Sequence, residues 1–278
     1  METSYFKLNA KRRMMKNHFK CFIVSVFPFM TVLLLTIFNY FLAKVLNGIS
    51  FNAILLPYAM YIRLLLLATS IILSIFIWKS VQLVVDGYFL SKVHVKNITL
   101  RQMIKCITFR QCLTFFLVSI IRFFLSISWF VFYFSPCIAV FCLLLYSYQN
   151  EKNGFKINLT LIVSAIMLLI IGLSFLYITL KRYSMCSSVI LNDEEKNPLK
   201  VIARSAEIME NHSVQYAFYC LSFSGWLLLC LLIIPVIYVV PYFKMSKFCF
   251  RNSLGLSKHI EQKEEKPIVF YFPKRVEN

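Results

Sequence analysis

Five long stretches of this chain lack the charges that would hold them in water. Residues 20–43, 58–78, 123–148, 157–180 and 214–243 contain no Asp or Glu, and their only Lys or Arg are Lys20 and Arg63. A helix of roughly 20 apolar residues matches the ~30 Å hydrocarbon core of a bilayer. In lipid the backbone must satisfy its own hydrogen bonds, which a helix does within one segment. The pattern predicts an all-α, polytopic integral membrane protein with about six membrane-embedded helices plus interfacial amphipathic helices.

Composition agrees. Hydrophobic residues make up 59% of the chain, above the roughly 45–50% of a soluble domain. The run after Lys20 is too long for the apolar core of a secretory signal and lacks a small-residue cleavage site, so it is expected to stay as a first span. Net charge is +18. On a membrane protein such an excess belongs to cytoplasmic loops, where Lys and Arg set orientation. It also draws juxtamembrane segments to anionic headgroups. The expected partner is therefore the lipid bilayer, with anionic lipids at the cytoplasmic face. Nucleic acid is not expected, because no stretch outside the greasy runs is long enough for a reading module.

The chain divides into a basic lead-in (1–19), a membrane domain (20–254) and a polar C-terminal tail (255–278). In the lead-in, Lys7, Lys11, Arg12, Arg13 and Lys16 alternate with Phe6, Leu8, Met14 and Met15, which suits a helix lying in the interface. A second span is expected over 58–85, with Asp86 just beyond it. An amphipathic stretch within 86–122 follows, capped by Asn97 or Thr99. The remaining spans are 123–148, 157–180 and 214–243. Asn47-Gly48 reads as a turn, Pro57 as a helix opener, and Asn197-Pro198 as a cap with proline at the first helical position. Basic residues gather in the lead-in, 86–122, 181–213 and the tail, so the N-terminus and the C-terminus are both expected in the cytoplasm. That orientation requires 214–254 to enter and return, bent near Pro235.

Met15-Lys16-Asn17-His18 and Met209-Glu210-Asn211-His212 each precede a greasy run. They suggest a repeated unit of short helix followed by membrane helix.

No reactive constellation stands out. The nine cysteines are scattered without a Cys-x-x-Cys, and the four histidines are far apart. No structural metal site and no cofactor are expected. Asp193-Glu194-Glu195 reads as a solvated turn before a helix. Glu207, Glu210 and His212 read as interfacial polarity. Arg122 stands among Ile120, Ile121, Phe123 and Phe124. It is either a boundary residue with a snorkelling head or an intramembrane cation with a function. Asn39, Asn158, Ser164 and Ser174 either line a path or bridge helices. Ser222, Ser224 and Gly225 would let a neighbouring helix approach closely, and Trp226 would anchor at an interface. Pro235 and Pro241 mark bends.

The last third carries Tyr183-Ser184-Met185, Asp193, Ser205 with Ile208-Met209, Leu221-Ser222-Phe223-Ser224-Gly225-Trp226, and Pro241-Tyr242. In order and spacing these resemble the bacterial integral-membrane family catalogued as domain of unknown function 975. The first half resembles it in hydropathy alone. The chain departs from the family at Asn211, where glycine is usual, at Ile233-Ile234-Pro235, which replaces a glycine-rich bend, and over 149–180, which looks like an addition. The resemblance implies a polytopic bacterial membrane protein and brings no activity with it. The expectation is a non-enzymatic organiser or accessory component of the bacterial cytoplasmic membrane. The alternative is a transporter or channel for a small solute. A membrane-embedded enzyme comes last.

Overall fold

The computed structural model describes residues 3–15, 18–48, 58–93, 99–150, 159–192, 197–229 and 236–262. The regular elements described are all α-helices. They are α1 (Thr3–Met15), α2 (His18–Gly48), α3 (Ala59–Val93), α4 (Leu100–Cys106), α5 (Phe109–Asn150), α6 (Leu159–Lys181), α7 (Cys186–Asn192), α8 (Pro198–Ile208), α9 (Ser213–Leu221), α10 (Ser224–Leu229) and α11 (Val236–Gln262).

Four segments are long and apolar enough to cross a bilayer: His18–Gly48, Met60–Val93, Phe109–Leu143 and Ile162–Asn192. The expected count of six is not reached among the described residues. The greasy run 214–243 is divided among α9, α10 and the start of α11, and Pro235 lies outside the described residues. So do Pro57, Asn97, Asn158 and Asp193-Glu194-Glu195.

Two expected boundaries move. The second span does not stop at 85. Helix α3 continues to Val93 because Leu83, Val85, Phe89, Leu90 and Val93 are buried along its last turns. Asp86 therefore lies within the helix instead of beyond it. The stretch 109–122 is not a separate interfacial element either, since it forms the opening turns of the 42-residue α5. At 1.5 Å per residue that helix is about 60 Å long, twice the hydrocarbon thickness.

The excess length has one use. All but one of the buried residues of α2 (Cys21, Val24, Ser25 and Pro28, with Leu46 the exception) cluster near its start, and those of α3 near its end. On α5 they are Thr114, Phe115 and Val118, again near the start. Helix α6 leads at its end into the buried α7. In this alternation of helices, starts of α2 and α5 and ends of α3 and α6 share one end of the molecule. There they pack with α1, α7, α8, α9 and α11 into a protein base. Beyond it, Phe29, Leu34, Tyr40, Leu64, Leu73, Phe132 and Ile170 are exposed. Apolar side chains facing outward on long helices are what lipid tails accommodate.

The lipid-facing parts pair as two hairpins, α2 with α3 and α5 with α6. Asn39 Nδ2 donates to Ser74 Oγ at 2.8 Å across the first, so Asn39 bridges helices. In the second, the Tyr133 and Thr179 hydroxyls meet at 2.9 Å and Tyr133 stacks on Phe175. The Ser174 hydroxyl returns to the Ile170 carbonyl of its own helix.

Local signals hold at the short helices. Thr99 and Gln102 form a capping box at α4, each closing on the other's backbone. Asn197 accepts from the Leu199 amide at 3.1 Å, with Pro198 in the first turn of α8. Helix α1 departs from expectation. Phe6, Ala10 and Met14 are buried against protein, while Leu8 and Met15 are exposed. Its apolar face is taken by α11 and α2 and not left to headgroups. The repeat survives only as a plan. Short helices α1, α4 and α8 each precede another helix, but Met15 is 70% exposed and Met209 is 0%, so the matched motifs sit in different surroundings.

Asn211 has a φ of 64°, in the left-handed region that disfavours side chains other than glycine or Asn. That accounts for glycine being acceptable at this position. Asn211→Gly should leave the unfolding temperature in detergent nearly unchanged. Asn211→Val should destabilise by about 1–2 kcal/mol. Equal melting curves for the two variants would contradict the turn's role.

Candidate functional site: a basic seam inside the helix base

The site begins on α11. Lys244, Lys247 and Arg251 are three and four positions apart and share one face of that helix. Met245, Phe248 and Leu254 between and beyond them are buried, so the helix is wedged into the base with its cations still attached. The Lys244 ammonium donates to the Ser25 carbonyl of α2 at 3.4 Å and lies 5.9 Å from the centre of the Phe89 ring. Lys247 sits over the Phe243 ring at 5.2 Å. The Arg251 guanidinium lies 5.2 Å from the Phe248 ring centre and 5.8 Å from that of Tyr216. Arg251 is 7% exposed, which is rare for a charge without a counter-charge in contact.

Opposite runs a second polar face, Lys79, Gln82 and Asp86 on α3, at the same three-then-four spacing. Asp86 interacts electrostatically with Lys79, Lys244, Lys247 and Arg251. Lys181, at the end of α6, interacts with Arg251, Arg122 and Lys247. Helices far apart in sequence thus turn cations toward one region. The one salt bridge seen among the described residues is elsewhere, Arg204 to Glu207 at 3.2 Å on the outside of α8.

Burial has the effect expected on such groups. Removal from water, reinforced by nearby Arg251, pushes the Lys247 ammonium down to about 8. Burial also lowers Lys244, with Asp86 opposing. Three polar atoms along this region lack a well-formed hydrogen bond: Gln82 Oε1, Tyr216 Oη and Arg251 Nε. The Tyr216 hydroxyl faces Arg251 without closing a bond of good geometry. Arginine cannot shed its proton in compensation.

Beside the seam is an aromatic cluster. Tyr216 and Tyr219 lie 5.2 and 5.1 Å from the Phe250 ring, and Phe223 lies 5.1 Å from Phe243 and 5.6 Å from Tyr242. The Tyr219 and Ser246 hydroxyls are hydrogen-bonded to each other. Ascending positions in α9 meet descending ones in α11, so these two helices run antiparallel in the base. Lys7 of α1 caps the cluster, 4.7 Å over the Phe223 ring.

The residues singled out in the sequence fall unequally. Arg122 stands well inside α5, half-buried and in electrostatic contact with Lys79 and Lys181, and so adjoins the seam. Pro241 is buried in α11. Ser222 ends α9, its hydroxyl donating to the Tyr219 carbonyl at 2.7 Å. Gly225 faces open space, and Trp226 is 50% exposed. The buried member of that motif is Phe223, at 0%. Among the described residues no group of His, Cys, Asp and Glu is arranged to hold a metal ion. Glu207 is half-exposed in its salt bridge, and the His212 ring meets Gln215 at 3.4 Å. Sequence reading left Lys244, Lys247 and Arg251 inside the 20–254 membrane domain without singling them out. The signal that could have found them was their period, with Met245, Phe248 and Leu254 interleaved at helical spacing.

Comparison with known families matches residues 5–258 to the family described as "Protein of unknown function (DUF975)". The chain belongs to that family. The match reaches well beyond the C-terminal third in which motifs were visible. No curated protein and no solved structure matches. Within the fold, motif residues spread along the last third of this DUF975 chain converge. Met185, Met209 and Phe223 are buried in one cluster, against which Tyr242 packs. Ser205 joins two of the motifs directly, accepting from the Met185 amide at 3.2 Å and donating to the Arg182 carbonyl at 3.1 Å.

Proposed function

We propose that this protein is a non-enzymatic organiser or accessory component of the bacterial cytoplasmic membrane, with its helix base on the cytoplasmic side. One observation carries the reading: long helices with outward-facing apolar side chains converge on a base whose short helices α1 and α4 present exposed basic residues. Arg12, Arg13, Arg101 and Lys105 stand exposed on α1 and α4, positioned to meet anionic headgroups at the cytoplasmic face. Such a base would gather anionic lipid or a membrane partner around itself. The test is co-purification in a mild neutral detergent, followed by native mass spectrometry. Retained anionic lipid or a stoichiometric membrane partner is expected, and a bare chain would contradict the reading.

A second reading, transport of a small solute, draws support from Lys79, Arg122 and Lys181. These are half-buried within the candidate spans, and intramembrane cations often mark solute paths. Flux into proteoliposomes separates the two. If the transport reading holds, Arg122→Ala should reduce flux by tenfold or more, and unchanged flux would remove Arg122 from any path.

A further inference from the structure

We infer that the inward face of α11 is an anion site, in which Lys247 and Arg251, flanked by Lys244 and Lys181, hold a phosphate-type oxyanion. The inference goes beyond the organiser reading and does not depend on it, since a chain that recruits no partner can still hold such an anion.

The argument is one of charge and unfilled bonding capacity. Lys244, Lys247 and Arg251 form a single face turned into protein. Asp86 is the carboxylate described in electrostatic reach of all three, and it forms no salt bridge with them. Lys181 adds a further positive charge from α6, and Arg122 stands behind it. One carboxylate cannot balance this set. Buried charges that lack a partner cost several kcal/mol each, and they persist where something neutralises them.

The bonding pattern points the same way. Arg251 is 7% exposed with its Nε unsatisfied. The Tyr216 hydroxyl beside it is equally without a well-formed partner. Lys247 is crowded by protein yet keeps some accessible surface, as a side chain lining a crevice does. A buried polar atom left unpaired in a native structure commonly marks a bound ion or water. A guanidinium fork beside ammonium groups and a hydroxyl donor suits a tetrahedral oxyanion with several acceptor oxygens. The aromatic rings of Phe243, Phe248 and Tyr216 wall the cations and lower the local dielectric, which strengthens any pairing made there.

A free phosphate and the headgroup of an anionic phospholipid share this chemistry. The experiment uses the full-length chain in neutral maltoside detergent, titrated in one arm with inorganic phosphate and in the other with short-chain phosphatidylglycerol. Bound anion is counted by native mass spectrometry, and unfolding temperature is followed in parallel. Saturable binding of one anion per chain is expected. It should raise the unfolding temperature by about 5–10 °C at a hundredfold excess over the dissociation constant. Saturation by phosphate alone assigns a soluble anion, and saturation by phosphatidylglycerol alone assigns a lipid headgroup. Lys247→Met and Arg251→Met should each weaken binding by about tenfold or more, the usual loss for a charged hydrogen bond. Lys11→Met, on the exposed face of α1, should leave it unchanged. If Arg251→Met fails to fold, Lys247→Met decides, because its ammonium is the more accessible of the two. No saturable binding in either arm, or equal binding by the Lys247→Met and Lys11→Met variants, would overturn the inference.

Discussion

Phe223→Ala is expected to destabilise the protein by about 3–5 kcal/mol, the range for removing a large aromatic side chain from a packed core. Phe223 is fully buried, touches the rings of Tyr219, Tyr242 and Phe243, and carries the Lys7 ammonium over its face. Its loss would open a cavity between α9 and α11 and release α1 from the same place. Trp226→Ala, three residues on and half-exposed, should shift stability far less. Unfolding of both variants in detergent, followed by circular dichroism, measures the difference. Comparable losses would show that the base does not close around Phe223.

Gly172→Leu should be the second large effect. A Cβ on Gly172 would lie 3.1 Å from the carbonyl oxygen of Tyr133 on α5. The neighbour is backbone and cannot turn aside, so a leucine must push the two helices apart. Overpacking of this kind costs about 1–3 kcal/mol. It would also strain the Tyr133–Thr179 hydrogen bond at 2.9 Å and the stacking of Tyr133 on Phe175. Gly172→Ala needs a shift of only a few tenths of an ångström and should be mild. A cysteine pair crosslinked across α5 and α6 near this level would report the separation directly. Equal crosslinking in wild type and Gly172→Leu would refute the close approach.

These two positions show what could be read in advance and what could not. Gly172 is the single glycine of the apolar run 157–180, but the neighbour that makes it matter, Tyr133, lies on another helix. The Leu-Ser-Phe-x-x-Trp motif was visible too. Its small residues suggested a contact surface, whereas the fold buries Phe223 and leaves Gly225 in open space. Caps behaved differently. Thr99 with Gln102, and Asn197 with Pro198, performed as their spacing implies, because a cap is completed within one turn.

Asp86 and the cations of α11 mark the other limit. At the end of an apolar run Asp86 looked like a boundary residue. Nothing nearby terminates α3, and burial of Phe89 and Leu90 carries the helix on. Lys244, Lys247 and Arg251 follow the last apolar run and drew no notice in the sequence, since charge alone does not tell surface from a buried face.

The amino-acid order by itself determined the solvent, the all-helical class and the positions of the long hydrophobic segments. Each of these is a sum over consecutive residues and needs no partner. Only the tertiary structure decided that the helices outrun the bilayer into a shared base, and which cations face inward there. Whether a side chain meets water or protein depends on helices brought from elsewhere along the chain. No local count of polarity contains that information.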